Sequence, residues 1–210
     1  MKDKDSFWQE YTDRNDMTVD QMEEMYQQKY GITRTKMNQE FISPYFYQDS
    51  KVLEVGCNVG NQLLILQKMG FKYLYGIDTE SYAVELAKGR TKGINIIQSS
   101  AFDIPFKDNY FDYVMTSGLL IHIPPEKINT ALDEIYRCSK CYILCFEYYA
   151  PNYTQISYRG HEDLLWKADF SSLFLERFDT LGCRREKRFP YLHDYRVKNN
   201  VDMMFLLKKT

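Results

Sequence analysis

The segment of residues 51–61, Lys-Val-Leu-Glu-Val-Gly-Cys-Asn-Val-Gly-Asn, constrains the fold of this chain more than any other. Val52, Leu53 and Val55 are apolar, and two of the three are β-branched, which predicts a short buried strand. Gly56 ends the strand, and Gly60 follows four residues later. A helix is predicted next, over residues 62–69, because its apolar pattern stops at a glycine. Such a strand, glycine turn and helix let the backbone approach a ligand closely.

The spacing of the two glycines argues against phosphates as the ligand. The turn has the pattern G-x-x-x-G, whereas a turn that binds the pyrophosphate of a dinucleotide has G-x-G-x-x-G. Glu54 also stands at the end of the strand, where its carboxylate faces the turn. Opposite charges attract, so this carboxylate suits a ligand with a cationic or hydroxyl-bearing part.

The composition predicts a single domain without a polyanionic partner. A chain of 210 residues is long enough to bury one sizeable core. Its net charge of -2 gives no sign of nucleic-acid binding, and the basic cluster at residues 184–188 is expected on the solvated face of an edge strand. The first six residues include four charged ones and lack the apolar stretch of a secretory signal. The sequence has no apolar run of about 18 residues, so no membrane-spanning helix is expected.

The five cysteines do not suggest a disulfide framework. Their odd number predicts free thiols and a reducing, cytoplasmic location. Cys138 and Cys141 have the C-x-x-C spacing of a metal site, but the sequence lacks the second pair that a zinc site needs. Cys141 and Cys145 are expected to lie within a strand. We therefore predict buried thiols and no metal.

An acidic residue follows the glycine turn at a distance that favours a ribose site. A second strand is predicted over residues 73–77, and Asp78 ends it, 22 residues after Gly56. An acid about 20 residues beyond the turn, at the carboxyl end of the next strand, is placed to accept hydrogen bonds from ribose hydroxyls. The pattern continues with a helix over residues 81–88 and a third strand over residues 94–98.

Two segments carry a resemblance to a known family. Residues 52–60 resemble motif I of the class I S-adenosylmethionine-dependent methyltransferases, which is hydrophobic-hydrophobic-acid-hydrophobic-G-x-x-x-G. Residues 99–114 are similar to a later part of the family's pattern, in which a G-D-A element meets the adenine before L-P-F and F-D-x-V. The chain departs from it at Ser100, where the family usually has an aspartate for the adenine amino group. A serine hydroxyl can still accept one hydrogen bond.

Four further segments resemble the methylases associated with pseudaminic acid biosynthesis. They are residues 7–15, 120–123, 147–149 and 158–163. This resemblance implies an α/β, Rossmann-like, doubly wound fold, with a mostly parallel seven-stranded sheet and an antiparallel last strand. It also implies S-adenosyl-L-methionine as the cofactor. The implied acceptor is a sugar, a nucleotide sugar or another precursor of a bacterial surface glycan.

The remaining segments complete this α/β pattern. Further strands are predicted over residues 113–116, 142–146, 182–191 and 201–208, the last two joined by a polar turn, and further helices over residues 126–139 and 164–178. Residues 148–163 are expected to form a functional loop, because they are too long and too aromatic for a simple connector.

Residues 1–48 are predicted to form an N-terminal helical cap on a methyltransferase domain of residues 49–210. Helices are predicted over residues 18–29, with a capping box, and over residues 33–47, where Pro44 disturbs the second. The aromatic segment before them is expected to fold over the ligand, with Arg14 available to the cofactor's carboxylate. A tether docked by Trp8 is an equally supported alternative.

Ligands of open parallel sheets bind beyond the carboxyl ends of the strands, where the strand order reverses. If the first and fourth strands flank that point, residues 117–122 border the pocket. The predicted cofactor-binding residues come from the N-terminal segment, the glycine turn and the ends of four strands: Trp8, Tyr11, Arg14, Glu54, Gly56, Asn58, Gly60, Asn61, Asp78, Thr79, Ser100, Ala101, Phe102 and Ser117.

Methyl transfer from a sulfonium requires alignment of the acceptor atom and, for a hydroxyl, removal of its proton. His122 and Glu147 are the predicted catalytic residues, His122 because an unperturbed imidazole titrates near neutrality. A His122 that is satisfied by the backbone, without a part in proton transfer, is equally supported. The predicted acceptor-binding residues are Tyr148, Tyr149, Tyr158, Arg159 and His161. For His161, structural pairing within its loop is the stronger interpretation.

Two other functions fit part of the pattern. A nicotinamide-dependent dehydrogenase would share the fold, but the missing middle glycine and Glu54 argue against it. A regulatory protein that binds S-adenosylmethionine or S-adenosylhomocysteine without catalysis would keep the pocket and block the acceptor. We expect a small polar acceptor as the partner, neither nucleic acid nor membrane, and a monomer or homodimer.

Overall fold

The computed structural model of the chain describes residues 4–43, 45–192 and 200–210. Its elements in chain order are α1 (Lys4–Asn15), α2 (Val19–Tyr30), α3 (Arg34–Ile42), β1 (Lys51–Val55), α4 (Asn61–Lys68), β2 (Tyr73–Asp78), α5 (Ser81–Arg90), β3 (Asn95–Gln98), β4 (Phe111–Ser117), α6 (Pro125–Cys138), β5 (Ser139–Tyr148), β6 (Thr154–Gln155), β7 (Trp166–Lys167), α7 (Phe170–Arg177), β8 (Leu181–Pro190) and β9 (Val201–Lys209). A short 3₁₀ helix, Leu120–His122, follows β4.

Seven strands form one sheet in the order β3-β2-β1-β4-β5-β9-β8. The pairs from β3 to β5 are parallel, whereas β9 runs antiparallel to both of its neighbours. The predicted Rossmann-like sheet with an antiparallel last strand is therefore confirmed. The strand order reverses between β1 and β4, so the carboxyl ends of these two strands form the position where such sheets bind ligands.

Helices cover both faces of the sheet and create two hydrophobic cores. Successive residues of a strand point to opposite faces. Val52 of β1 accordingly packs in one core with α2 to α5, and Leu53 packs in the other with α6 and α7. Both side chains are fully buried, which is typical of a central parallel strand.

The N-terminal helices agree with the prediction in part. Thr18 caps α2 and shares a reciprocal capping box with Gln21, and Gly31 ends the helix in the left-handed conformation. The predicted second helix is shorter than expected and ends at Ile42. Pro44, which was expected to disturb it, lies outside the described residues. The aromatic N-terminal segment, for which no helix was predicted, is part of α1.

The helix predicted over residues 164–178 is wrong in its first half. Trp166 pairs with Gln155 in the two-stranded sheet of β6 and β7, and the helix begins only at Phe170. Asp169 caps it by accepting a hydrogen bond of 3.0 Å from the Ser172 backbone N–H. The apolar run at residues 164–166 is buried, and periodicity alone cannot distinguish a short buried strand from a helix.

The edge of the main sheet carries the basic cluster. Residues 184–188 lie in β8, whose side chains there are exposed, as expected for a solvated edge. The polar turn predicted between β8 and β9 lies outside the described residues. Within the described part of the chain, no helix is both long and apolar enough to cross a membrane.

Gly76 of β2 marks the closest approach between the sheet and the glycine turn. A Cβ atom on Gly76 would lie 2.7 Å from Leu63 Cδ1 and 2.8 Å from Cys57 Sγ. We expect Gly76→Ala to lower the free energy of unfolding by about 1–3 kcal/mol, because such a core has no room for a methyl group. Urea denaturation would measure the change.

Gly182 of β8 provides the matched control, because a Cβ atom there would meet no described heavy atom within 4 Å. Gly182→Ala should leave the free energy of unfolding unchanged or slightly raise it, since alanine restricts the unfolded chain. Equal losses in the two variants would contradict the close packing at Gly76.

Candidate active site

A cavity of about 360 Å³ opens beyond the carboxyl ends of the central strands. Its wall extends from Asp78 of β2, past Gly56 and Ser117, to Tyr148 of β5 and Asp202 of β9. Neighbouring strands are about 4.8 Å apart, so the four strand intervals from β2 to β9 span about 19 Å. Residues of α1 and α2 form the rest of the wall.

The cavity brings together most of the residues predicted for the site. Those that line it are Trp8, Tyr11, Glu54, Gly56, Asn58, Asn61, Asp78, Thr79, Ser100, Ala101, Phe102, Ser117, His122 and Tyr148. The structure does not bring the others to the cavity wall: Arg14, Gly60, Glu147, Tyr149, Tyr158, Arg159 and His161.

The glycine turn is hydrogen-bonded to the end of β2. The backbone N–H groups of Gly56 and Cys57 both donate to Ile77 O, at 2.8 and 2.9 Å. Gly56 has φ of 73°, and a Cβ atom there would lie 2.7 Å from Leu119 Cδ1. Gly60 has φ of 80° behind the turn, where a Cβ atom would lie 2.9 Å from Thr91 Cγ2. Both positions therefore require glycine.

Asp78 faces the cavity from the end of β2. Its Oδ2 accepts a hydrogen bond of 2.8 Å from Asn58 N, and its Oδ1 accepts one of 3.0 Å from Glu80 N. Burial raises the pKa of Asp78, while these backbone donors lower it. Two carboxylate oxygens offer about four acceptor positions, so Asp78 can also accept hydrogen bonds from a ligand.

Glu54 contributes an unsatisfied carboxylate to the cavity. The residue is 2% exposed, and its Oε2 has no hydrogen-bond partner among the described residues. Burial raises the pKa of Glu54 to about 8, although the positive charge of Arg34 lowers it. A cationic or hydrogen-bond-donating group of a ligand would pair with this oxygen.

Arg34 of α3 was not singled out in the sequence. It is fully buried, and its guanidinium lies 4.6 Å from the centroid of the Phe146 ring. Its Nε donates to Asn38 Oδ1 at 3.2 Å, whereas Nη2 is buried without a partner in the described part of the chain. Arginine side chains on helices are mostly exposed, so the sequence gives no sign that this one is buried.

Helix α1 is held against the glycine turn by polar contacts. Asn58 Nδ2 donates to Thr12 Oγ1 at 3.1 Å, and Asn61 Nδ2 donates to Asn15 O at 2.7 Å. Arg90 forms an ion pair of 3.2 Å with Asp16 just beyond the helix. These contacts place α1 beside the cavity.

Aromatic residues of α1 continue these contacts on the other side of the cavity. The ring centroids of Trp8 and Tyr11 lie 5.1 and 5.6 Å from that of His122, both with edge-to-face geometry. Phe7 packs against His161 with a centroid distance of 5.3 Å. Arg14 differs from the expectation, because its guanidinium lies 5.6 Å from the Tyr11 ring centroid and does not line the cavity.

The turn that contains Arg159 lies outside the cavity. Tyr158 and His161 exchange two backbone hydrogen bonds, of 2.8 and 3.0 Å. Arg159 and Gly160 between them have φ of 52° and 85°, as in the type I′ turn of a two-residue hairpin loop. Arg159 is exposed at the tip of this turn and does not line the cavity.

His122 presents one unprotonated nitrogen to the cavity wall. Its Nδ1 lies 2.7 Å from Leu164 O, which can only accept, so Nδ1 carries the proton. Nε2 is buried without a partner among the described residues. Burial lowers the pKa of His122 to about 4. This differs from the expectation of an imidazole that titrates near neutrality, and His122 is instead a neutral hydrogen-bond acceptor.

Glu147 is engaged with the backbone after β4. Its Oε1 accepts hydrogen bonds from Thr116 Oγ1 at 2.7 Å and Leu119 N at 3.2 Å, and Oε2 accepts one of 3.4 Å from Ile121 N. The residue is 2% exposed, and burial raises its pKa to about 7. Its carboxylate therefore holds the segment before His122 in place and does not face the cavity.

The end of the cavity near β9 contains residues that the sequence analysis missed. Asp202 is 1% exposed and accepts hydrogen bonds from the hydroxyls of Tyr30 and Tyr191. Lys29 Nζ lies 3.7 Å from Asp202 Oδ2. These residues come from distant parts of the sequence and belong to no local motif, so only the folded sheet brings them together.

The cysteines and acids do not form a metal site in the described residues. No group of three or more potential ligand side chains has the arrangement of a metal centre within residues 4–43, 45–192 and 200–210. All five cysteines are free, and Cys141 and Cys145 lie in β5, as predicted.

Comparison with known proteins identifies the family. The family described as "Methyltransferase domain" matches residues 53–141. An uncharacterized protein of Haemophilus influenzae is 33% identical to this chain. The match covers 45% of this chain and 40% of the length of that relative. An uncharacterized methyltransferase of Staphylococcus carnosus is 30% identical over 70% of this chain and 71% of its own length.

The fold agrees with solved structures of the same family. A SAM-dependent methyltransferase of Methanosarcina mazei superposes with a TM-score of 0.63 at 18% sequence identity, over 80% of this chain and 95% of the other. This similarity shows the fold, whereas the sequence match to the Staphylococcus carnosus relative shows the family. The chain therefore belongs to the S-adenosylmethionine-dependent methyltransferases.

Proposed function

We propose that this protein transfers the methyl group of S-adenosyl-L-methionine to a small polar acceptor that binds in the same cavity. The observation that carries the proposal is the difference in charge between the two ends of this one cavity. Two carboxylates, Glu54 and Asp78, line it near β1 and β2, whereas tyrosines and Lys29 line it near β5 and β9. A cationic cofactor suits the first end, and a polar acceptor suits the second.

The residues at the first end fit the cofactor. The unsatisfied Oε2 of Glu54 would bind the ammonium group, and Asp78 would accept the ribose hydroxyls. Ser100 Oγ accepts a hydrogen bond of 3.1 Å from Phe102 N, which leaves one acceptor position toward adenine. Phe102 lines the cavity beside it and offers an aromatic face.

When bound, the cofactor supplies a methyl group on a positively charged sulfur. Trp8 and Tyr11 line the cavity with aromatic faces, which attract a cation and exclude water. His122 Nε2 would accept a hydrogen bond from the acceptor's N–H or O–H group and so orient its nucleophilic atom. A neutral imidazole of low pKa is suited to this orientation more than to removal of a proton.

The acceptor site that we propose lies closer to β9 than the sequence indicated. Tyr148 lines the cavity, but Arg188 Nη2 donates to the Tyr149 hydroxyl at 2.7 Å on the outside of the sheet. Arg159 and His161 belong to the exposed hairpin turn. We therefore propose a pocket for a sugar, a nucleotide sugar or another glycan precursor between Tyr148, His122 and α2.

The proposal also covers the cellular compartment of the protein and the division of the chain into a cap and a cofactor domain. Free and buried thiols at Cys57, Cys138 and Cys145 support a reducing, cytoplasmic compartment. Residues 1–48 are proposed to act as a cap on the cofactor domain of residues 49–210, because α1 contacts the glycine turn through side chains.

The proposed function is tested by two measurements. Calorimetry with S-adenosylhomocysteine and with NAD should show binding of the first and none of the second. A labelled-methyl assay with nucleotide sugars and phosphorylated small acceptors should then show transfer. Binding of NAD alone would favour the dehydrogenase. Tight binding of S-adenosylhomocysteine, without transfer to any acceptor in the panel, would favour the non-catalytic regulatory protein.

Glu54→Gln should remove the pH dependence of cofactor affinity. In the free protein the pKa of Glu54 is about 8, so its carboxyl is protonated at pH 6. A bound ammonium favours the ionised form, so binding releases a proton. The affinity of the wild type for S-adenosylhomocysteine should therefore rise from pH 6 to pH 8 by up to about tenfold per pH unit. Calorimetry at pH 6, 7 and 8 would measure it.

The variant should bind about tenfold more weakly at pH 8 and show a flatter pH profile, because glutamine does not titrate. Glu186→Gln, at an exposed position of β8, is the matched control and should retain the profile of the wild type. Parallel pH profiles of Glu54→Gln and wild type would exclude Glu54 as the ammonium ligand.

Deletion of residues 1–16 should weaken cofactor binding and preserve a folded domain. The deletion removes Trp8, Tyr11 and Asn15 from the cavity wall, whereas α2 keeps its buried residues in the core. We expect the affinity for S-adenosylhomocysteine to fall at least about tenfold, the usual result of losing buried contacts with a ligand. Calorimetry would measure the affinity, and urea denaturation would measure cooperativity. Unchanged affinity, or loss of cooperative unfolding, would contradict a separable cap.

A further inference from the structure

We infer that Lys29 forms the subsite for an oxyanion of the acceptor, a phosphate ester or a carboxylate, at the β9 end of the cavity. This inference rests on the proposed function, because it concerns the acceptor of the same reaction. Lys29 lines the cavity together with Tyr30, Tyr148 and Asp202. No residue of this group belongs to the glycine turn or to the end of β2.

Three tyrosine rings and one carboxylate fix the position of the Lys29 ammonium. Its Nζ lies 3.9 Å from the ring centroid of Tyr191, 5.0 Å from that of Tyr30 and 5.8 Å from that of Tyr148. Asp202 Oδ2 lies 3.7 Å away. Cation–π attraction and the ion pair hold the charge at one place, so little conformational entropy remains to be lost on binding.

The ammonium of Lys29 is the more accessible member of its ion pair with Asp202. The side chain of Lys29 is 29% exposed, whereas that of Asp202 is 1% exposed beneath it. Asp202 also accepts hydrogen bonds from the hydroxyls of Tyr30 and Tyr191, so its oxygens are covered by donors. Asp202 also lines the cavity, but a ligand there reaches the more exposed ammonium and the tyrosine rings before it reaches the carboxylate.

Lys167 adds a second positive charge behind the same wall. Its Nζ lies 5.9 Å from the Tyr148 ring centroid and donates to Asn200 Oδ1. Two lysines within 6 Å of the Tyr148 ring raise the electrostatic potential at this end of the cavity. The two lysines and Asp202 together leave one net positive charge at this end of the cavity, whereas Glu54 and Asp78 are acidic groups at the other end.

The position of Lys29 separates an acceptor anion from the acidic end of the cavity. Asp202 lies on β9, four strand intervals or about 19 Å along the sheet from Asp78. Glu54 and Asp78 would repel an anion that bound beside them. An acceptor anchored by its oxyanion at Lys29 would extend back toward His122, where its nucleophilic atom would lie nearer the cofactor end.

Binding of matched sugars to the protein saturated with S-adenosylhomocysteine tests this inference. The probes are glucose 1-phosphate, glucuronate and glucose, observed by ligand-detected NMR titration. At least one charged sugar should bind ten or more times more tightly than glucose. Preference for glucose 1-phosphate identifies a phosphate subsite, and preference for glucuronate identifies a carboxylate subsite. Equal affinity for all three sugars, or no binding of either charged sugar, would overturn the inference.

Variants of Lys29 assign the effect to this residue. Lys29→Met should weaken binding of the charged sugar at least tenfold, and Lys29→Arg should restore most of it, because the guanidinium keeps the charge. Lys140→Met is the matched control, since this exposed lysine lies near the amino end of β5, whereas the cavity lies at the carboxyl end. Thermal unfolding of each variant verifies that the fold is retained.

The affinity for S-adenosylhomocysteine tests whether Lys29 binds the cofactor instead of the acceptor. Lys29→Met should bind S-adenosylhomocysteine as tightly as the wild type does. A tenfold loss would show that Lys29 holds the carboxylate of the cofactor, and it would overturn the acceptor subsite while leaving the proposed function intact. Failure of the wild type to bind S-adenosylhomocysteine would instead refute the proposed function itself.

Discussion

The site depends on the hydrogen bonds that join the glycine turn to the end of β2. Two consecutive N–H groups of the turn donate to Ile77 O, and the Asn58 N–H donates to the Asp78 carboxylate next to it. Gly76 of β2 leaves the space that Cys57 of the turn occupies, because a Cβ atom there would lie 2.8 Å from Cys57 Sγ. Because the turn is fixed, Glu54 and Asp78 are held on the same cavity wall.

The same turn also connects the cofactor end to the N-terminal helix. Asn58 uses its backbone toward Asp78 and its side chain toward Thr12. On the far side of α1, the rings of Trp8 and Tyr11 enclose His122 and exclude water from it. Burial is what keeps this imidazole neutral, so the packing of α1 determines its chemistry.

Local patterns allowed much of the fold, and many of the residues that line the cavity near β1 and β2, to be predicted. The strand, turn and helix around Gly56, the acid at Asp78 and the capping box at Thr18 are each encoded by nearby residues. The start of α7 was misplaced because a buried apolar run fits both a strand and a helix. The Lys29 and Asp202 pair, 173 residues apart by their numbers, depends on the sheet order, which no local pattern contains.

The antiparallel strand β9 contributes one part of the cavity wall, and the parallel strands contribute the other. Tyr148 and Asp202 stand opposite each other across the β5–β9 ladder, so their side chains share one face of the sheet. A slip of one residue in β9 would turn Asp202 to the other face, yet it would leave the parallel strands with Glu54 and Asp78 in register. With the acceptor at the β9 end, as proposed above, acceptor preference and cofactor recognition would change independently during evolution, and exchange of β8 and β9 between relatives would be a route to new substrates.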